Sequence, residues 1–219
     1  LQLVPDLLLA NQEENTPATV HALRAAGIPV WLTFPHTVDE TIDLLAQMAA
    51  VFHSQTAREK VRWLARSVDW QRASLSEVHR LAYFCPIWQD QGGDVPAWWM
   101  TFNYATYCSD VLRLFGLENV FADRERRYPL LADLGRAPAE PPAGRDTRYP
   151  RVSRDEIIAA QPEVILLPSE PFAYTDEHRQ MLDRIFADTL AARNGNLLLV
   201  DGTLITWFGT RLGRALDVL

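Results

Sequence analysis

Cysteine is scarce in this 219-residue sequence: only Cys85 and Cys108 occur. Their spacing matches neither a metal site nor a dense disulfide framework, and whether they pair is left open. The five histidines, His21, His36, His53, His79 and His178, stand singly rather than at ligand spacing. No protein-held metal and no cofactor of the chain's own is therefore expected. No apolar run reaches the length of a membrane span. No signal peptide is visible, although Leu1 already sits inside a pattern, as it would after removal of a leader. An excess of positive charge is missing too. The chain carries 28 acidic residues against 21 Lys and Arg, a formal charge of −7, which argues against binding along a phosphate backbone, so no nucleic-acid partner is expected.

The sequence also lacks the usual nucleophile and phosphate motifs: there is no G-x-S-x-G, no P-loop and no G-x-G-x-x-G. The stretch LLLVDGTLITWFG, Leu197 to Gly209, approaches the D-x-D-G-T motif of phosphatases that use an aspartate nucleophile. Covalent catalysis there needs a carboxylate two residues before Asp201, and Leu199 holds that position. An α/β hydrolase or phosphatase is thus the weaker reading. No catalysis is expected, and Asp201-Gly202-Thr203 reads as a turn after a buried strand.

What is present is a hydrophobic fraction of 48%, enough for one large core or two small ones. The two ends of the chain form an approximate repeat. Pro5-Asp6-Leu7-Leu8-Leu9-Ala10-Asn11-Gln12-Glu13 reads like Pro162-Glu163-Val164-Ile165-Leu166-Leu167-Pro168-Ser169-Glu170. A helical stretch follows each, Pro17 to Ala26 and Asp176 to Ala192, and then a further apolar strand, Ile28 to Phe34 and Asn196 to Asp201. Strand, helix and strand at this spacing predict βαβ units with parallel sheets, hence two similar lobes.

Between them, residues 36–85 contain neither Gly nor Pro. Thr37-x-x-Glu40 is a capping box followed by Val38, Ile42, Leu45, Met48 and Phe52 at helical spacing. Val61, Leu64, Val68, Leu75 and Val78 carry a second or continuous helix to about His79. About 25 helical residues would span about 38 Å, a strut rather than a flexible linker. The expected order is an N-terminal lobe over 1–36, a backbone helix over 37–80 and a C-terminal lobe over 81–219. In the last, Leu81 to Cys85 reads as a strand, Pro86 to Trp99 as a turn-rich loop, Tyr104 to Phe115 as a helix and Asn119 to Ala122 as a short strand. Residues 129–150 read as a surface insertion, and Ser153-x-x-Glu156 caps another helix. Ligands of open parallel sheets sit at the carboxyl ends of strands. Those ends carry Asn11 to Glu14, Phe34, Trp88, Ser169 to Phe172 and Thr203 to Trp207.

This order, with PDLLLAN, PIW, LRLFGLENVFAD, YPRVSRDEI, QPEVILLP and FGTRLGRAL, resembles the helical-backbone substrate-binding proteins of ABC importers, the class that carries cobalamin, iron siderophores and haem. The cobalamin-binding members are nearest in pattern. The resemblance implies two α/β lobes joined by a long rigid helix, with the N-terminal part of the first lobe lacking. It also implies a monomer outside the cytoplasm that captures a corrinoid, siderophore or haem-type chelate between the lobes and presents it to a membrane permease.

Position by position, Asn11 stands where those members carry a ligand-gripping aromatic residue. Tyr149 stands for a tryptophan that faces ligand, and Met100 for a phenylalanine, with Trp98, Trp99 and Phe102 around it. The candidate ligand-binding residues are Asn11, Phe34, Trp88, Trp98, Phe102, Tyr149, Glu170 and Trp207. An acidic residue on each lobe meets permease arginines in the family. Asp155 matches the second-lobe position and Pro17 the first, so Glu13 or Glu14 would have to substitute. Each of these residues has an ordinary alternative: aromatics pack cores, lone loop carboxylates are solvated, and acids favour a helix N-terminus. A cytosolic sensor or a degenerate interaction protein of the same fold is the competing reading.

Overall fold

The Pro-acid-apolar stretches at the two ends of the chain both become parallel strands followed by capped helices. The computed structural model describes residue 3 and residues 5–75, 79–93 and 97–219. The chain divides into two compact units, one ending at His36 and one starting at Thr37. The first is a βαβ unit of β1 (Leu8–Asn11), α1 (Pro17–Ala25) and β2 (Val30–Thr33). β1 and β2 pair in parallel from Leu8 opposite Val30 to Asn11 opposite Thr33. Thr16 caps α1 by accepting from the Thr19 N–H at 3.2 Å. Pro17 occupies the first turn, where its missing N–H costs nothing.

The second unit opens with α2 (Val38–Val51) and α3 (Gln55–Ser74). The stretch free of Gly and Pro is therefore two helices and not one rod. α2 stops at Phe52, His53 adopts a left-handed conformation with φ 51°, and Ser54 caps α3 by accepting from the Ala57 N–H at 3.2 Å. Histidine tolerates this backbone region better than most residues, so the break needs no glycine. Arg72, in the last turn of α3, grips both oxygens of Asp39, in the first turn of α2, at 2.9 and 3.0 Å. The helices consequently run antiparallel. α3 alone, with 20 residues, spans about 30 Å. Val78, expected to extend its apolar face, lies outside the described residues.

There follow β3 (Leu81–Phe84), β4 (Trp88–Asp90), β5 (Trp98–Met100), α4 (Tyr107–Leu114), β6 (Leu117–Asn119), α5 (Leu130–Asp133), β7 (Arg151–Val152) and α6 (Arg154–Ala160). The chain ends through β8 (Val164–Pro168), α7 (Asp176–Ile185), α8 (Leu190–Arg193), β9 (Leu197–Val200), α9 (Thr203–Thr206) and α10 (Arg211–Val218). β6, β3, β8 and β9 form a parallel sheet in that order, and β4, β5 and β7 a small antiparallel one.

β8 is buried along its whole length, and its alternating side chains feed two cores. Val164 and Leu166 join Tyr83, Val111, Leu64 and Leu212, beneath α2, α3, α4 and α10. Ile165 and Leu167 join Phe84, Ile157, Leu182 and Phe186, beneath α6 and α7. A strand covered on both faces reads as an unbroken apolar run, as QPEVILLP does.

Three expected boundaries shift. The stretch Pro86 to Trp99 is not only loop: Trp88–Asp90 pairs antiparallel with Trp98–Met100. The helix expected over 176–192 breaks after Ile185, because Thr189 caps a separate short helix by accepting from the Ala192 N–H at 3.2 Å. The short strand expected over 119–122 runs instead over Leu117–Asn119, in register with β3.

Residues 129–150 are mostly exposed, as expected of an insertion, yet they are tied down at one buried carboxylate. Asp133, with no side-chain exposure, accepts from the Arg127 N–H at 2.9 Å, the Arg151 N–H at 2.8 Å and Arg124 Nη1 at 2.9 Å. Arg124 also reaches Glu156 at 3.2 Å. Removing one member of such a buried pair leaves the other uncompensated, typically at about 3–5 kcal/mol. Asp133→Ala should lower stability by about that amount in urea unfolding. A loss under about 1 kcal/mol, in the range of an exposed pair, would contradict the staple.

Candidate ligand-binding face

Register decides which aromatic residues meet. In the antiparallel sheet Trp88 lies opposite Met100, and Met100 opposite Arg151, so the three side chains project from one face. Asp90 and Trp98, also opposite one another, share that face by the two-residue period. The other face carries Gln89, Trp99 and Val152, all buried. Backbone bonds continue the ladder, with Thr101 N–H donating to Pro150 O at 3.0 Å and Asn103 N–H to Arg148 O at 2.9 Å. This brings Tyr149 opposite Phe102. The exposed end of the face thus holds Trp88 at 46% exposure, half-buried Met100 and Arg151, and the edge of Trp98, over whose ring Arg151 lies at 5.7 Å.

The carboxyl ends of the parallel strands adjoin this face through aromatic contacts. Trp88 meets Phe172, in the loop after β8, edge to face at 5.7 Å. Phe172 in turn touches Tyr174 at 4.7 Å and His178 at 5.2 Å. Two residues before Phe172, Glu170 accepts from Thr206 Oγ1 at 2.9 Å and from the indole N–H of Trp207. One short loop therefore joins Trp88 on one side to Trp207, also 46% exposed, on the other. Edge-to-face contacts of this kind add about 0.5–1.5 kcal/mol each beyond burial and fix ring orientation.

The expected residues separate by position. Trp88, Trp98, Tyr149, Glu170 and Trp207 all belong to the second unit's face or to the loops that border it. Phe102 does not reach the surface. It is fully buried in the core with Tyr83, 6.4 Å away, because the ladder turns inward under α4 after Met100. Asn11 and Phe34 lie in the first unit. The Asn11 side chain closes its own turn by accepting from the Glu13 N–H at 3.0 Å, and Phe34 packs against His36 at 4.2 Å. Glu13 and Glu14 are exposed there. Asp155 projects from the first turn of α6 with 93% of its side chain exposed, 3.7 Å from Arg154. Arg151 and Phe172 were not among the expected site residues. The alternation in WQD and WWM is the signal that would have placed Arg151, and Phe172 closes the strand-end stretch Ser169 to Phe172 without being singled out in it.

Electrostatics mark the arginine. Burial pulls the Arg151 guanidinium below its ordinary value, the charge of Arg126 adds to this, and Asp133 opposes it. It stays cationic at neutral pH. Burial pushes the Tyr174 phenol well above its usual range. Cys85 and Cys108 are both buried and form no disulfide, and burial raises the Cys85 thiol, so Cys85 behaves as a packing residue. Among the described residues no three His, Cys, Asp or Glu side chains gather where they could hold a metal. No described helix is long and apolar enough to cross a membrane.

Asp201-Gly202-Thr203 shapes the border. Asp201 Oδ1 accepts from the Thr203 N–H at 3.0 Å, and the Gly202 N–H donates to Ser169 Oγ at 3.0 Å. A Cβ at Gly202 would stand 2.7 Å from both the N and the O of Glu170, so the β8 and β9 loops touch through a glycine. Gly202→Ala should destabilise by about 1–3 kcal/mol, the cost of overpacking. It should also change Trp207 fluorescence as Glu170 is displaced. A variant with parent stability and spectrum would show that the two loops have room to part.

No family model matches the sequence. A vitamin B12-binding protein of Yersinia pestis is 28% identical over 170 residues, covering 76% of this chain and 50% of that protein. The chain thus spans about half the length of the curated relatives it matches. Among solved structures, the periplasmic vitamin B12-binding protein of Vibrio cholerae superposes with a TM-score of 0.69 at 20% identity, over 99% of this chain and 72% of its own. The periplasmic haem-binding protein of a Roseiflexus species gives 0.66 at 22% identity, over 99% and 74%. These relatives are named as binding proteins and not as enzymes. The chain is similar in sequence to vitamin B12-binding proteins, and its α/β fold is that of solved periplasmic binding proteins, among them a vitamin B12-binding and a haem-binding one.

Proposed function

We propose that the chain belongs to a solute-binding protein that captures a large, flat metal chelate, a corrinoid, haem or iron complex, outside the cytoplasm and delivers it to an ABC permease. The observation that carries this reading is the face on which exposed Trp88 stands beside half-buried Met100 and Arg151, bordered by Phe172 and Trp207 at the carboxyl ends of the parallel strands. Flat macrocycles are held mainly by apolar and stacking contacts with a few placed polar groups, and this face offers both. The names of the relatives support the same ligand class. Binding and release, with no bond made or broken, account for the residues present.

Native mass spectrometry of the freshly purified full-length protein should reveal a co-purifying chelate. Trp88→Ala should then weaken affinity for that chelate roughly tenfold, the loss of one stacking platform. Unchanged affinity in Trp88→Ala and Tyr149→Ala together would place the ligand elsewhere.

Asp155 is the docking residue of this reading, exposed and free of any buried role. Rim charges act mainly on association rate and are screened by salt. Asp155→Arg should slow association with the cognate permease and leave chelate affinity unchanged, at a stability cost of about 0.3–1 kcal/mol for a reversed charge at a helix N-terminus. A lowered melting point with parent association kinetics would make Asp155 a helix-capping residue only.

A further inference from the structure

α3 buries Leu64 and Val68 on its inner side, but its outer side is not the purely polar surface that solvent would favour. Trp63 and Trp70, seven residues and so two turns apart, share one outward stripe at 55% and 81% exposure. Arg66 lies between the two indoles, three residues after one and four before the other, and Arg62 stands one turn before it; both arginines are exposed. Glu59 and Asp69 are near in the helix, yet among the described residues neither arginine has a carboxylate at ion-pair distance, and Glu59 accepts instead from Gln55 Nε2 at 3.0 Å. Arg72, by contrast, is held by Asp39. α3 carries five cations against these two acids, in a chain of formal charge −7.

Beside this stripe runs an apolar groove of about 490 Å³ between α2, α3 and α10. Trp63 lines it together with Leu45, Met48, Phe52 and Val61, and Lys60 is its one charged lining residue among those described. A single tryptophan on a surface is ordinary. Two on one stripe, interleaved with cations and bordered by an apolar groove, have the chemistry of an interface. Charge decides what occupies it. A second copy of the chain, packed antiparallel on the same stripe, would set the two Arg66 side chains against each other, because Arg66 is central. An anionic bilayer complements the stripe: guanidiniums take phosphate oxygens, indoles settle at headgroup depth, and the groove has the size and lining for an acyl chain.

We propose that the outer face of α3 is a docking surface for anionic phospholipid in a bilayer, with Arg62 and Arg66 on lipid phosphates, Trp63 and Trp70 at the interface and the neighbouring groove open to a lipid chain. The helix lies on the membrane and does not cross it. This goes beyond the chelate-binding reading and does not rest on it, since it uses none of the residues assigned to the ligand.

The test measures flotation of the full-length protein with vesicles of phosphatidylcholine alone or mixed with phosphatidylglycerol. Binding to the mixed vesicles should be roughly tenfold tighter or more, the effect of two cations near an anionic surface, and should weaken as salt rises. Arg62→Gln and Arg66→Gln combined should bring it down to the level of the neutral vesicles. Trp70→Ala, at a position outside the core, should lower it roughly tenfold, the loss of one indole from the interface, and keep the parent melting temperature. Equal binding to the two kinds of vesicle, no binding to either, or binding to the mixed vesicles that ignores the arginine and tryptophan changes overturns the proposal. So does a dimer in sedimentation equilibrium that Trp70→Ala dissolves, which would give the face to a second copy. The vesicle comparison uses the parent protein, so the proposal remains testable if a variant fails to fold, and none of these outcomes alters the chelate-binding reading.

Discussion

Burial of β8 on both faces is the constraint on which the larger unit depends. Its alternating side chains feed two separate cores, so helices must cover the parallel sheet above and below. No broad face of the sheet is left for a ligand. What remains open is the end where the strands stop and their last carbonyls and loops point outward, and there the chain places Trp88, Phe172, Glu170 and Trp207. The location of the candidate site is thus a consequence of how the core is closed.

The small antiparallel sheet extends that end into a surface. Its two-residue period separates a fully buried row, Gln89, Trp99 and Val152, from a partly open row, Trp88, Met100 and Arg151, on whose face Trp98 is itself buried. Its third strand comes from the far side of a long insertion. Asp133 makes that possible by accepting from backbone and side chain at three places, which fixes the insertion's return at Arg151. A single buried carboxylate thereby couples the stability of the insertion to the position of a cation on the candidate face.

Glycine and the short helices set the border on the other side. At Gly202 two loops approach more closely than any side chain would allow, and this contact brings Thr206 and Trp207 onto Glu170. A stretch that resembles a phosphatase motif in sequence is, in the folded chain, a spacer between loops. The carboxylate that orients an indole at this border is Glu170, while Asp201 caps its own turn and lies 3.6 Å from Arg214.

The sequence by itself determined the elements whose signal is local and repeated. Both βαβ units follow from apolar runs and caps, the capping box at Ser153 forms as written, and the parallel character of β8 follows from its unbroken apolar run. It also placed Trp88 and Trp207 in the segments that follow β3 and β9. Tertiary structure alone decided which of the neighbouring aromatics face outward. Trp88 and Trp98 share a face by register, yet Trp88 is exposed and Trp98 buried, and Phe102, two residues beyond Met100, is core among residues of α4. The break at His53 was equally hidden, since a left-handed histidine leaves no mark like a glycine. Arg151 and Phe172 acquire their meaning only through partners distant in sequence: cross-strand register, a carboxylate 18 residues away and an indole on another strand. Local propensity fixes where strands and helices form. The side of a sheet that meets solvent is fixed by what packs against the other side, and that is information no single segment carries.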